Sequence, residues 1–414
     1  MKKTLLAIAT LMTAMTSQAQ DLKGSWHGNL DLGAQQKLGI VFHLDKDAQG
    51  KGIGKMDIPS QSAKGIPLTI ELLSADSVSL KVPAINMAYA GKLEGETLKG
   101  TFTQHGMSFP LNLTSGGFER PNRPQEPQPP YSYRTEEVAF HNPSAKVTLS
   151  GTLTYPTDYN PSKPVPVVLM VTGSGAQNRD EEVFNHKPFL VIADYLARNG
   201  IASLRYDDRG TGKSTGAPQG NTSQGFADDA RAGLKWLKES KKFGKVGVLG
   251  HSEGGMIAFM IGATGEADFL VSMAGTGIKG DTLLAEQVNA NLRLCGQPAD
   301  KTAKRIREEA AAGPHNEWIE YFLDYDPAPA IAQTQIPVMA INGSKDIQVI
   351  AASNLTAIRN LLSNGNKQNL IKEYPGLNHL FQHCRTGAAT EYYQIEETCA
   401  PEVLKDIAGW INGL

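Results

Sequence analysis

The stretch KVGVLGHSEGGMIA, residues 245–258, decides how the whole chain is read. Its first half, Val246 to Leu249, is an apolar run of the kind buried on both faces of a sheet. Its second half, from Gly255 through Ala258, has the composition of a helix start. Between them, Gly250-His251-Ser252-Glu253-Gly254 matches G-x-S-x-G. A serine on such a sharp strand-to-helix turn needs flanking glycines, because neighbouring backbones crowd one another there. The turn would hold the Ser252 hydroxyl above the sheet edge. The helix N-terminus behind it would favour developing negative charge. Ser252 is therefore the candidate nucleophile. A capping serine in a glycine-rich turn would carry the same letters, so the surroundings must decide.

Working outward, apolar strands alternate with helical patterns. VTLSGTLTY (147–155) opens the series. VPVVLMV (165–171) reads as a fully buried strand, and KPFLVIADYLARN (187–199) as a helix that Gly200 can end. IASLRYD (201–207) is a strand, and FADDARAGLKWLKES (226–240) has helical spacing. FLVSMAG (269–275), IPVMAING (336–343) and NLIKEYP (369–375) are further strands. Helices are expected near 350–362 and over VLKDIAGWI (403–411). This alternation predicts an α/β fold around a mainly parallel sheet. Residues 280–330 interrupt it with helical, charged sequence, and we read them as a cap over the site.

A serine hydroxyl is a poor nucleophile without a base. With this turn, the acid and then the histidine follow the serine in chain order. Asp346 follows the strand IPVMAI, and His379 follows the last strand, in Gly376-Leu377-Asn378-His379. Strand ends are where such a sheet places its chemistry. His379 would take the Ser252 proton and return it to the leaving group, while Asp346 fixes the imidazole tautomer. His383 is a rival base, and Asp324 and Asp326 are rival acids. An oxyanion hole needs two backbone N–H donors. One is expected at Glu253, after the nucleophile. The other is expected at Ser174, in the glycine loop after VVLMV, with Gly175 as the alternative.

Gly212-Lys213-Ser214 resembles the end of a phosphate-binding loop. However, Asp207 stands where that motif requires its first glycine, so we read a structural loop. No histidine or carboxylate cluster has metal-ligand spacing, so neither metal nor cofactor is expected. The net charge of −2 and the lack of a long basic run argue against nucleic acid as partner.

Residues 1–19 read as a secretory signal peptide. Lys2 and Lys3 precede an apolar run (4–15), and Ser17-Gln18-Ala19 offers a cleavage site. An exported protein, periplasmic or secreted, with no stable membrane insertion is expected. Residues 20–115 read as a small all-β domain. Its runs are LGIVFHL (38–44), IPLTIELL (66–73), SVSLKV (77–82), TLKGTFTQ (97–104) and SFPLNLT (108–114), with turn residues between them. Residues 116–135 are proline-rich and predict an extended, semi-rigid linker. The α/β domain would occupy 136–414. Of Cys295, Cys384 and Cys399, the last two flank one short segment and are the candidate pair in an oxidising compartment, with three free or buried thiols the equal alternative.

These residues carry a family resemblance. Gly173-Ser174-Gly175 with Asn178-Arg179-Asp180, then Asp207 to Ser214, Gly250 to Gly255 and Gly376 to His379 form an ordered series. It resembles the bacterial alpha/beta-hydrolases related to dienelactone hydrolase, serine aminopeptidases and prolyl-oligopeptidase-like enzymes. Exported two-domain esterases are nearest. The resemblance implies hydrolysis of small carboxylic esters, short-chain or aromatic in the acyl part, through an acyl-enzyme. It also implies Asp346 as the acid. Ser252 departs from dienelactone hydrolase proper, whose nucleophile is cysteine. A peptidase acting on short peptides is the alternative, with Glu317, Glu320, Asp324 or Asp326 holding a free amino terminus. A non-catalytic glycan- or lipid-binding protein is the alternative of a different class.

Overall fold

The computed structural model describes residues 22–31, 37–61, 63–118, 121–218, 220–362 and 365–414. The expected signal peptide lies outside the described residues. Two compact units are present. One holds the strands up to residue 115, and the other holds the rest of the chain from residue 121 onward.

The first unit is one antiparallel sheet. Its strands are β1 (Gly24–Asp31), β2 (Lys37–Lys46), β3 (Gly52–Ile58), β4 (Ala63–Pro67), β5 (Thr69–Leu73), β6 (Ser77–Val82), β7 (Met87–Glu94), β8 (Thr97–Gln104) and β9 (Met107–Ser115). They lie in the order β4-β3-β2-β1-β9-β8-β7-β6-β5. Trp26, Phe42, Met56, Leu80, Tyr89 and Leu98 fill its core. The run IPLTIELL, read from sequence as one strand, is two. Pro67 ends β4 and Thr69 starts β5, and these two strands form opposite edges of the sheet. Proline has no N–H for a ladder and is confined to such edges and strand ends.

The second unit is built on an eight-stranded sheet. β10 (Thr135–Asn142) pairs with β11 (Val147–Thr154), and β11 pairs antiparallel with β13 (Ala202–Tyr206). From there β12 (Val167–Val171), β14 (Val246–His251), β15 (Leu270–Met273), β16 (Val338–Gly343) and β17 (Leu370–Tyr374) run parallel. The order is β10-β11-β13-β12-β14-β15-β16-β17. The buried strands alternate between two cores. Val167, Leu169 and Val171 face one, and Val168 and Met170 face the other.

Helices cover both faces. α1 (Pro188–Arg198) follows β12, α2 (Ser223–Ser240) follows β13, and α3 (Glu253–Gly262) follows β14. Between β15 and β16 the chain passes through α4 (Gly280–Leu294), α5 (Ala303–Ala312), α6 (Glu317–Asp324) and α7 (Ala328–Gln333). α8 (Ala351–Leu361), α9 (Ala389–Tyr392) and α10 (Pro401–Asn412) complete the unit. β12 has neighbours reached in opposite directions, β13 on one side and β14 on the other. The loops leaving β12 and β14 therefore diverge at a switch point, where such sheets open a crevice.

The proline-rich stretch after residue 120 is bonded into the second unit. Arg123 donates from Nε to Asn185 O (2.9 Å), from Nη1 to Ile395 O (2.9 Å) and from Nη2 to Tyr393 O (2.7 Å). Gln125 Oε1 accepts from the N–H groups of Thr398 and Cys399. Composition signals extended chain but says nothing of what two polar side chains can anchor. Cys384 and Cys399 are not paired, and all three cysteines are free thiols. Cys399 is buried in the core beneath α10, while Cys384 Sγ lies 3.5 Å from Gly376 O.

Candidate active site

Ser252 stands between β14 and α3 with φ 56° and ψ −118°, a conformation that costs a non-glycine residue free energy. Its N–H donates to Met273 O at 2.8 Å. The flanking glycines are there because no side chain fits. A Cβ on Gly250 would lie 1.9 Å from Gly254 O, and one on Gly254 would lie 2.1 Å from Val171 O.

Asp346 leaves the end of β16, and His379 the end of β17. His379 Nδ1 lies 2.7 Å from Asp346 Oδ2, and both side chains are buried. The other oxygen, Asp346 Oδ1, accepts the N–H groups of Gln348 (2.8 Å) and Val349 (2.9 Å). This carboxylate therefore requires a proton on Nδ1 and leaves Nε2 with a lone pair, the tautomer of a general base. Buried Asn378 shapes the base loop through Oδ1, which accepts from Leu380 and Gln382 N–H. The rivals are engaged elsewhere. His383 is exposed and paired with Glu397 and Glu402. Asp324 is paired with Arg307, and Asp326 accepts from Ala328 N–H.

The two expected oxyanion donors flank the serine. The N–H of Glu253 opens α3, where no intrahelical acceptor exists. The loop after β12 passes beside Ser252, since a Cβ on Gly173 would lie 3.3 Å from Ser252 Cβ. Gly173 N–H donates to Glu181 Oε1 at 2.8 Å. The next N–H, that of Ser174, has no acceptor among the described residues.

Several side chains around these groups have settings that the sequence does not reveal. The Glu253 carboxylate is buried and accepts from the Ser223 hydroxyl (2.5 Å) and from Trp318 Nε1 (2.9 and 3.0 Å). Burial raises its pKa against these donors and the Ser174 hydroxyl. Asp208 Oδ2 accepts from the Thr172 hydroxyl and Gln177 N–H, both at 2.8 Å, and so fixes the loop that carries Ser174. Burial pushes the Asp208 carboxyl up to about 7. Asp207 binds Arg179 through both oxygens, which holds its carboxyl below the usual range despite burial. The segment from Asp207 to Ser214 is thus a brace for the oxyanion loop. Among the described residues, no three His, Cys, Asp or Glu side chains are grouped to hold a metal ion.

Beside Ser174 lies a cavity of about 670 Å³. Phe226, Asn221, Pro218 and, from the N-terminus of α6, Glu317 and Trp318 wall it. Asn221 is buried, and its Nδ2 has no hydrogen-bond partner.

Residues 146–279 match the family of X-Pro dipeptidyl-peptidases, S15. Esterase EstD of Thermotoga maritima is 28% identical over 292 residues, 68% of this chain and 68% of that protein. Among solved structures, the Pyrococcus furiosus esterase Pf2001 is 17% identical, with a TM-score of 0.47 over 72% of this chain and 99% of that one. XC6422 of Xanthomonas campestris, described as an a/b serine hydrolase without lid, is 17% identical, with a TM-score of 0.38 over 69% and 94%. Over the residues matched, the chain is thus similar to S15 peptidases and to an esterase, and its sheet order and serine turn are those of an α/β fold.

Proposed function

We propose that the chain is a serine hydrolase that cleaves carboxylic esters through an acyl-enzyme. The observation that carries this reading is a buried His379–Asp346 pair, with a lone pair left on Nε2, packed against His251 of the strained serine turn. The 28% identity to an esterase over two thirds of the chain supports the choice of ester. In this reading, Ser252 Oγ attacks the ester carbonyl as His379 Nε2 takes its proton. The oxyanion forms against the N–H groups of Ser174 and Glu253. His379 then protonates the departing alcohol, and water repeats the sequence on the acyl group.

The cavity beside Ser174 would receive the acyl group. Its Phe226 and Trp318 walls suit a flat apolar or aromatic acid, and the Glu317 carboxylate would repel an anionic one. In this reading α4 to α7 are the cap, contributing Trp318 to the pocket. Export follows from residues 1–19, and the β-sheet unit is a separate domain.

A peptidase reading has one observation in its favour, the family match over 146–279. Of the four acids suggested for an amino terminus, only Glu317 lines the cavity, and it is free to do so only in part, since His315 lies 4.0 Å from it. Comparing turnover of p-nitrophenyl acetate with aminoacyl-p-nitroanilides decides between them. Faster turnover of the ester supports the esterase, and a much larger rate on the anilides overturns it.

A further inference from the structure

Behind the reacting groups lies a buried pair that takes no part in the bond-making steps proposed above. Glu181 sits in the loop after β12, and His251 immediately precedes the nucleophile. Both are buried, at 1% and 6% exposure. His251 Nδ1 lies 3.0 Å from Glu181 Oε1, and its Nε2 lies 2.9 Å from the carbonyl oxygen of His379. The same Glu181 Oε1 accepts the N–H of Gly173 at 2.8 Å. Its other oxygen has no partner, so all the hydrogen bonding of this carboxylate passes through one atom.

The chemistry of these partners fixes the charge state. A neutral imidazole has one N–H and one lone pair. Here a carboxylate faces one ring nitrogen and a carbonyl the other, and both only accept. Two acceptors require two donors, so the ring is imidazolium and Glu181 its counter-ion. Burial by itself would drive the imidazole neutral, but the charge and hydrogen bond of Glu181 outweigh it, and His251 titrates above its ordinary value.

We propose that Glu181 and His251 are a positioning pair that ties three parts of the site together. Glu181 holds Gly173, next to the oxyanion donor Ser174. His251 is covalently joined to Ser252. Its far nitrogen holds the backbone of His379, and the two imidazole rings stand 4.7 Å apart. One ion pair thus sets the distance between nucleophile, base and oxyanion loop. Misplacing reacting groups by about 1 Å costs on the order of 100-fold in rate. The inference rests on the serine-hydrolase reading and adds residues to it.

The isosteric variant Glu181→Gln is diagnostic, because a neutral amide removes the counter-ion that keeps the His251 ring doubly protonated. If its oxygen takes the place of Oε1, His251 becomes neutral with its proton on Nδ1, and a bare Nε2 faces the His379 carbonyl. If its nitrogen takes that place, Gly173 loses its acceptor. The experiment measures kcat and KM on p-nitrophenyl acetate, the rate of fluorophosphonate labelling, the thermal midpoint, and ¹⁵N signals of the His251 ring. The account expects wild-type His251 to carry protons on both nitrogens near pH 7 and the variant to lose one. It expects kcat and the labelling rate to fall by roughly 10- to 100-fold with KM little changed. The double variant Glu181→Gln/His251→Gln should cost less than the product of the two single losses, because both act through one link. Wild-type kcat and labelling in a folded Glu181→Gln, or a singly protonated His251 in the wild type, overturns the proposal. Absence of labelling in the wild type itself would instead remove the serine-hydrolase reading beneath it.

Discussion

His379 donates through Nδ1 to Asp346 Oδ2 at 2.7 Å, while two backbone N–H groups hold the other oxygen of the same carboxylate. The acid is thus oriented by β16's own loop before it orients the base. Asp346→Asn keeps the shape but can present an N–H where the imidazole needs an acceptor. The wrong tautomer then puts a proton on Nε2. We expect kcat on p-nitrophenyl acetate to fall by roughly 10⁴-fold, with the thermal midpoint changed far less. A loss of tenfold or less would mean that another acid serves His379.

Ser252 holds φ 56° and ψ −118°, and glycine accepts this region without strain. Ser252→Gly and Ser252→Ala both remove the hydroxyl, but only glycine relieves the backbone. Ser252→Gly should therefore be more stable than Ser252→Ala by about 1 kcal/mol in urea unfolding. Equal stabilities, or a less stable glycine variant, would show that the turn stores no strain.

Asp208 braces the oxyanion loop, and burial raises its folded-state pKa to about 7 from an ordinary value of 3.8. The folded protein then binds more protons than the unfolded chain between those two values. Its contribution to stability is full below pH 4 and is lost as pH rises towards 7. The linkage is worth at most about 4 kcal/mol. Subtracting the unfolding free energy of Asp208→Asn from that of the wild type isolates this dependence from other titrating groups. The difference should fall steadily from pH 4.5 to 7.5. A flat difference would mean that Asp208 is ionised throughout.

Trp318 and Phe226 wall the cavity beside Ser174, and Trp318 also donates to Glu253. Phe226→Ala tests the wall without touching that hydrogen bond. Losing an apolar wall is worth about 1–3 kcal/mol to a group that fills it. The kcat/KM for p-nitrophenyl benzoate should drop about tenfold or more, while p-nitrophenyl acetate changes little. Equal losses on both esters would place the acyl group elsewhere.

Sequence carries the proposed reacting groups better than their supports. Ser252 is legible because its motif joins a buried strand to a helix, and His379 and Asp346 because each follows a strand in the required order. The buried strands of the second unit are legible as continuous apolar runs. The break at Pro67 is visible only once β4 and β5 are seen on opposite edges of their sheet. Glu181 and His251 lie seventy positions apart, and no spacing rule links them. The anchoring of Arg123 to Tyr393 and Ile395 is equally non-local. Asp208 reads as one more loop carboxylate until Thr172 and Gln177 are found against it.

The central claim is that Ser252 is an activated nucleophile. The measurement that tests it most directly is fluorophosphonate labelling of the purified protein, comparing wild type with Ser252→Ala and locating the adduct by peptide mass. The account predicts stoichiometric labelling on Ser252 that disappears in the variant. A folded wild type that does not label, or one that labels equally after Ser252→Ala, would contradict it.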